Sequence, residues 1–422
     1  MNDKTWQQTG KGQYILRDVP YTGYNEKTPR LDKKGNGPAM FVTGFVAGIF
    51  LVLIIYFAAF RFSNSLSLAT QKKIGLLESV IDRYYMGERE EEAESDGIYK
   101  GIVASLGDKY AEYFTREELQ LSREDNAGEF SGIGCTIGMD QDLGICFVAS
   151  VMEGYAAEEA GLKEGDYFLE VDGEDATGWT SSEVAAHVKG ETGTTVELKM
   201  LRGTEELEFT VKRVKVEVST IESRMEDEEK KIGYIRILEF DEITVPQFRE
   251  AKDMLEKEGM EALILDLRSN PGGLVDSCAD IASEMLPKGL IAYSETKDGN
   301  RFEWESDGKK EIDIPVVILV NGNTASAAEI LTGAMKDYNK ATVIGTTTFG
   351  KGIIQNTYGL GDGTAVEFTV GQYYLPNGET IHEIGIDPDI EIDLDAEAYL
   401  KDGSDNQLDA AIKELTTRIS GS

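Results

Sequence analysis

Two residues carry the chemistry that this sequence can offer: Ser326 in Asn321-Gly-Asn-Thr-Ala-Ser-Ala-Ala-Glu329, and Lys351 in Thr348-Phe-Gly-Lys-Gly352. A serine hydroxyl is a weak nucleophile until a base takes its proton. With only two histidines in 422 residues, His187 and His382, a Ser-His-Asp triad is nearly excluded. A lysine amine serves instead when burial disfavours its charge, since full burial can lower its pKa by roughly 3–5 units from about 10.4. The pair reads as a Ser-Lys dyad.

The surrounding elements must bring the two together. Ser326 follows the apolar strand Val316–Val320 and a five-residue turn, then opens a helical run. Its hydroxyl is expected where unpaired backbone N–H groups favour an anionic intermediate. Ser326-x-x-Glu329 equally fits a capping box, in which the serine is only an N-cap. Asp266-Leu-Arg-Ser-Asn-Pro-Gly-Gly273 closes another apolar strand with a turn able to present backbone N–H groups, or acting as a turn and nothing more. Lys351 follows a strand in a glycine-flanked loop, where a solvated lysine is the ordinary outcome. Gly345 to Lys351 also matches part of a phosphate-binding P-loop, but Gly352 stands where the magnesium-binding hydroxyl belongs.

From Ile232 onward, strands at 232–237, 262–267, 315–320 and 341–345 alternate with helices at 244–258, 274–286 and 326–338, the first entered through a Thr244-x-x-Gln247 cap. That alternation predicts an α/β core with parallel pairing. Upstream, strands at 133–138, 145–151, 167–171, 195–201 and 206–214, with a helix capped by Thr180-x-x-Glu183, predict a small β-rich domain. Residues 66–124 have helical periodicity, with Ile74, Leu77, Val80, Ile81 and Tyr84 on one face.

Met40 to Phe60 is a run of 21 residues without a charge; as a helix it is about 31 Å long and matches the hydrocarbon thickness of a bilayer. It is expected to span a membrane uncleaved, because a signal peptide has a shorter apolar region and leader. Residues 1–39 carry seven Lys/Arg against four Asp/Glu, and residues 62–422 carry 34 against 73. The N-terminus is therefore expected in the cytoplasm and the bulk outside. Gly44 and Gly48 within the span offer a close helix approach. A net charge of −35 excludes binding to a phosphate backbone, so no nucleic-acid partner is expected. The acidic run Glu88–Glu94 reads as a solvated helix face rather than a calcium loop. Cys135, Cys146 and Cys278 read as buried thiols, with no zinc-type spacing and no metal expected.

Taken together, the Asn-Pro-Gly-Gly turn, the Thr-Ala-Ser-Ala-x-Glu segment and the Thr-Phe-Gly-Lys-Gly loop resemble those of the carboxyl-terminal processing peptidases, serine proteases with a PDZ domain. The resemblance covers about residues 70–395. It implies an α/β protease core of the ClpP/crotonase kind with an inserted β-rich PDZ domain, an N-terminal helical region and one transmembrane helix. The corresponding boundaries are a cytoplasmic tail at 1–39, the span at 40–60, the helical region at 62–125, the PDZ domain at 126–215, the core at 216–400 and a helical segment at 401–422. By the same resemblance Ser326 is the nucleophile, Lys351 its base and Gln355 the residue that orients the lysine amine. Backbone N–H groups of Ala327 and of Gly272 or Gly273 make the oxyanion hole, and Asp337 is structural. Gly132, Ile133 and Gly134 form the loop that holds a peptide's terminal carboxylate. Two residues depart from the pattern: Lys109 stands where proline is frequent, a matter of packing only, and Lys189 stands where arginine is frequent, at a contact joining the PDZ domain to the active site. The implied function is a membrane-anchored endopeptidase acting on protein C-terminal tails, homodimeric and needing no cofactor. The alternative is a catalytically silent PDZ scaffold or ligand-binding protein.

Overall fold

The structure is a computed structural model that describes residues 4–8, 14–18, 48–49, 51–52 and 66–421. The chain divides into two units, Met1–Arg89 and Glu90–Ser422. The first holds a two-stranded antiparallel sheet, β1 (Lys4–Gln8) and β2 (Tyr14–Asp18), and helix α1 (Leu68–Tyr84). The predicted span at 40–60 falls almost wholly outside the described residues, among which no helix is long and apolar enough to cross a membrane. Helix α1 is capped by Ser67 and buries none of its residues, leaving Leu77, Val80, Ile81 and Tyr84 exposed.

The second unit begins with α2 (Glu91–Ala104), β3 (Glu112–Phe114) and α3 (Arg116–Ala127). Thr115 and Glu118 form a reciprocal capping box at the start of α3, and Gly128 ends it in the left-handed conformation. A short ladder between β4 (Glu129–Gly132) and β11 (Val214–Glu217) then encloses the β-rich domain. Its sheet runs in the order β10-β9-β7-β6-β5, built from β5 (Cys135–Asp140), β6 (Ile145–Val151), β7 (Tyr167–Val171), β9 (Thr195–Arg202) and β10 (Glu205–Lys212), with β8 (Glu174–Asp175) against β7. Helices α4 (Ala156–Ala160) and α5 (Ser181–Val188) pack on it, and the expected Thr180–Glu183 capping box forms. Phe168, Val184, Val196 and Met200 fill a core of their own.

The α/β core is a six-stranded sheet of order β12-β13-β14-β17-β18-β21: β12 (Ile221–Asp227), β13 (Ile232–Ile237), β14 (Ala262–Asp266), β17 (Val316–Val320), β18 (Ala341–Gly345) and β21 (Ile390–Glu391). Only β12 is antiparallel. Strands β14, β17 and β18 are buried at every position, as expected of a sheet covered on both faces. One face carries α6 (Thr244–Lys257), α7 (Val275–Ser283) and α8 (Ala327–Asp337) over Phe248, Ile281 and Leu331. The other is sealed by the terminal helix α10 (Asn406–Gly421), whose Ala411 and Leu415 pack on Ile264, Val317 and Ile344, with α9 (Ala396–Asp402) leading into it.

Two predicted features are corrected. The Thr244-x-x-Gln247 cap does not form: helix α6 is preceded by Ile243 without a side-chain cap, and Gln247 instead accepts the Thr220 N–H at 2.8 Å. A second sheet also stands where none was predicted, of order β16-β15-β20-β19 with β3 on β20: β15 (Gly289–Thr296), β16 (Arg301–Ser306), β19 (Ile353–Gly359) and β20 (Ala365–Tyr374). Its strand β19 begins two residues after Lys351.

Candidate active site

Ser326 sits where buried strand β17 turns into α8. Thr324 fixes that turn, accepting the Asn321 N–H at 3.0 Å and donating to the Leu267 carbonyl at 2.8 Å. Ser326 itself, only 8% exposed, has φ +54° and ψ −119°. An L-residue held there costs on the order of 1–3 kcal/mol and persists only where the surroundings enforce it. Glu329, one turn into the helix and fully buried, accepts the Ser326 N–H on Oε2 at 2.8 Å. The capping arrangement and an exceptional serine thus coexist at one position.

The Asn-Pro-Gly-Gly turn lies directly against this serine. Buried Asn270 donates to the Ile237 carbonyl at 2.9 Å and accepts the Gly272 N–H at 2.8 Å. Gly272 is at φ +111°, and a Cβ there would lie 2.7 Å from Ser326 Cβ and 3.1 Å from the Ala327 nitrogen. Only glycine allows that approach. Because its N–H is committed to Asn270, Gly272 serves as the close-approach residue and is removed as an oxyanion donor. The N–H groups of Gly273 and Ala327 have no protein acceptor among the described residues. Gly273, at φ +123°, is clamped against the Phe240 carbonyl, where a Cβ would come to 2.4 Å.

Lys351 arrives from β18 through a loop that the same glutamate holds. Its N–H donates to Glu329 Oε2 at 2.9 Å, while the Gly350 N–H and the Thr348 hydroxyl reach Oε1 at 2.7 and 2.6 Å. The backbone nitrogens of Ser326 and Lys351 therefore share one oxygen atom. The lysine side chain is half-buried, and no hydrogen bond joins its Nζ to Ser326 Oγ; the ammonium lies over the Tyr110 ring, 4.4 Å from the centroid. Burial, reinforced by the nearby Lys109 ammonium, holds its pKa below that of an ordinary lysine, against the opposing pull of Glu367 and Asp108. Lys109 is thus more than packing: its Nζ lies over the Tyr110 and Phe349 rings and repels the Lys351 charge.

Gln355 lies on β19, where its amide N–H donates to Thr369 Oγ1 at 3.2 Å, and no hydrogen bond joins its side chain to the lysine. Asp337 stands apart at the far end of α8, accepting from Asn377 in a structural bond. Two residues singled out by no sequence reasoning complete the site. Tyr110 is placed by Asp108, which takes the Tyr110 N–H at 3.0 Å and the Thr369 N–H at 2.8 Å. Tyr373, fully buried on β20, donates its hydroxyl to the Lys351 carbonyl beside Ser326, and burial pushes its pKa well up. A tyrosine within Gly371-Gln-Tyr-Tyr374 gives no sequence signal of such a role. In front of the serine, Tyr110, Ser269, Pro271, Asn323, Ala325, Phe349 and Lys351 line a cleft of about 430 Å3.

In the β-rich domain, Gly132, Ile133 and Gly134 precede β5, an edge strand whose outer side is unpaired among the described residues. Ile133 is buried and its carbonyl accepts the Ala157 N–H at 2.7 Å. Gly134, at φ +82°, passes so close to Tyr155 that a Cβ would come to 2.3 Å. Lys189, at the end of α5, pairs with Glu124 of α3 at 3.4 Å and lies over the Phe130 ring. All three cysteines are free; Cys146 and Cys278 are buried and Cys135 partly so.

The model of peptidase family S41 matches residues 231–392, and that of the PDZ domain matches residues 120–201. A probable CtpA-like serine protease of Staphylococcus aureus is 34% identical over 363 residues, which is 84% of this chain and 72% of that protein. A carboxyl-terminal-processing protease of Synechocystis is 35% identical over 321 residues, 75% of each. Among solved structures, the photosystem II D1 C-terminal processing protease is 28% identical, with a TM-score of 0.45 covering 75% of this chain and 86% of that one.

Proposed function

This chain belongs to peptidase family S41, and we propose that it is a membrane-anchored endopeptidase that captures protein C-terminal tails in its PDZ groove and cleaves them through Ser326 with Lys351 as base. It is a serine-type C-terminal-processing peptidase with a PDZ domain. The observation that carries the Ser-Lys reading is the shared acceptor: the backbones of Ser326 and Lys351 are tied to the same Glu329 oxygen. In the reaction, neutral Lys351 takes the Ser326 proton as Oγ attacks the scissile carbonyl carbon. The oxyanion is met by the Gly273 and Ala327 N–H groups. The lysine then gives its proton to the leaving amine, and water hydrolyses the ester. This requires Lys351 Nζ to leave the Tyr110 ring and turn to Ser326 when substrate fills the cleft.

Tail capture is supported by the open edge of β5 beside α5, which suits an added peptide strand with its carboxylate at residues 132–134. A membrane anchor at residues 40–60 is supported by their uncharged run, and a catalytic unit outside the cytoplasm by the excess of Lys/Arg before that run; the uncovered apolar face of α1 suits pairing with a second copy. A fluorophosphonate probe tests the enzymatic reading directly. Labelling of the full chain at Ser326, lost in Ser326→Ala, is expected; no labelling of wild type would favour the silent scaffold.

A further inference from the structure

Glu329 is fully buried, and among the described residues no lysine or arginine pairs with it. A buried carboxylate is tolerable only when its lone pairs are filled. Here four donors fill them, two on each oxygen: Ser326 N–H and Lys351 N–H on Oε2, Gly350 N–H and the Thr348 hydroxyl on Oε1. Only the ionised carboxylate accepts all four, because a protonated acid or an amide would turn a hydrogen toward a donor. Every donor belongs either to the nucleophile turn or to the lysine loop.

We propose that Glu329 is a positioning residue for the reaction, whose carboxylate holds Ser326 in its strained conformation and fixes the Lys351 loop against it. One side chain then sets the spacing of nucleophile and base. The Ser326 N–H is one of the two that Oε2 holds. The loop is also tied by Phe349 N–H to the Thr324 carbonyl, Thr348 N–H to the Ile386 carbonyl, Ile386 N–H to the Thr348 hydroxyl, Glu383 N–H to the Gly350 carbonyl and the Tyr373 hydroxyl to the Lys351 carbonyl. Glu329 is fully buried and both its oxygens are taken up by the nucleophile turn and the lysine loop, so its loss should act on kcat rather than KM. The proposal rests on the reading of Lys351 as the base.

The test uses the full chain with a tail peptide and amide hydrogen exchange. In wild type, Gly350 and Lys351 amides should be protected like those of α8, although they lie in a loop. Glu329→Gln keeps the volume but turns one of the two acceptor oxygens into a donor; kcat should fall about 100-fold, the cost of an ångström's misplacement, with KM nearly unchanged and segment 349–352 exchanging faster. Thr348→Val removes one donor to Glu329 together with the acceptor of the Ile386 N–H and should give an intermediate loss with faster exchange at 349–352, and it decides the matter if Glu329→Gln does not fold. Unprotected loop amides in wild type, wild-type kcat in either variant, or lost activity with unchanged loop exchange would overturn the proposal. Activity in Lys351→Ala would instead overturn the base assignment while leaving the exchange pattern intact.

Discussion

Replacing Gly272 by alanine tests how tightly the Asn-Pro-Gly-Gly turn is built around the serine. At φ +111° the new side chain would strain the backbone by about 1–3 kcal/mol. Its Cβ would lie 2.7 Å from Ser326 Cβ and 3.0 Å from the Ala325 carbonyl oxygen, overpacking of a kind that costs about 1–3 kcal/mol more. Neither neighbour is the free end of a flexible side chain, so the relief must come from moving the turn or Ser326. A shift of one ångström in a reacting group is worth about 100-fold in rate. Gly272→Ala should therefore lose about 100-fold in kcat and in fluorophosphonate labelling, and melt several degrees lower at about 2–4 °C per kcal/mol. Gly273→Ala is the control: its Cβ would lie 2.4 Å from the Phe240 carbonyl oxygen, so it should destabilise the core more. Wild-type turnover in Gly272→Ala would refute the placement of this turn against the nucleophile.

Ser326→Ala should abolish peptide hydrolysis and leave tail binding by the PDZ domain unchanged in a fluorescence-anisotropy titration. Lys109→Met removes a charge that disfavours the Lys351 ammonium; the lysine then keeps its proton to higher pH, and the pH profile of kcat/KM should move upward. Asp108→Asn removes the opposite influence and should move it downward, although lost bonds to Tyr110 and Thr369 will also lower the maximum. Burial, with Glu239 and Asp125 nearby, pushes Asp241 up to about 7. Because the folded state holds this proton more tightly than the unfolded chain, the stability it contributes is present in acid and is lost as pH rises toward 7. Asp241→Asn should accordingly raise Tm relative to wild type at pH 8, with a smaller gain at pH 5 and none below about pH 4.

The elements that carry hydrophobic period and punctuation were legible before any coordinates. Strands 232–237 and 341–345 and the helices at 244–258 and 326–338 emerge at or within a few residues of their predicted bounds, because a buried parallel strand is an uninterrupted apolar run between turn residues. The sheet of β15, β16, β19 and β20 was not legible. Strand β19 is half-buried or exposed throughout and β20 buries only Ala365 and Tyr373, so neither shows an alternating or continuous apolar pattern. Its consequences for the site were equally hidden: Tyr373 and Thr369 meet Lys351 and Gln355 only because β20 lies beside β19. Ser326 and Lys351 were found by residue type and spacing, whereas the roles of Asn270 and Glu329 depend on where buried carbonyl and carboxyl oxygens point. The capping-box pattern did mark Glu329, but for a local helix start rather than for a bond to a loop more than twenty residues away.

The central claim is that Lys351 acts on Ser326 as a neutral base. Its most direct test is the rate of fluorophosphonate labelling of Ser326 as a function of pH in wild type and Lys351→Arg. Labelling of wild type should rise with pH along one ionisation below that of an ordinary lysine, in keeping with the direction in which burial and Lys109 push Lys351. Lys351→Arg should label as slowly as Lys351→Ala, since a guanidinium stays protonated and accepts no proton. A wild-type rate flat in pH, or substantial labelling of Lys351→Arg, would contradict the claim and leave this lysine only as a fixed positive charge.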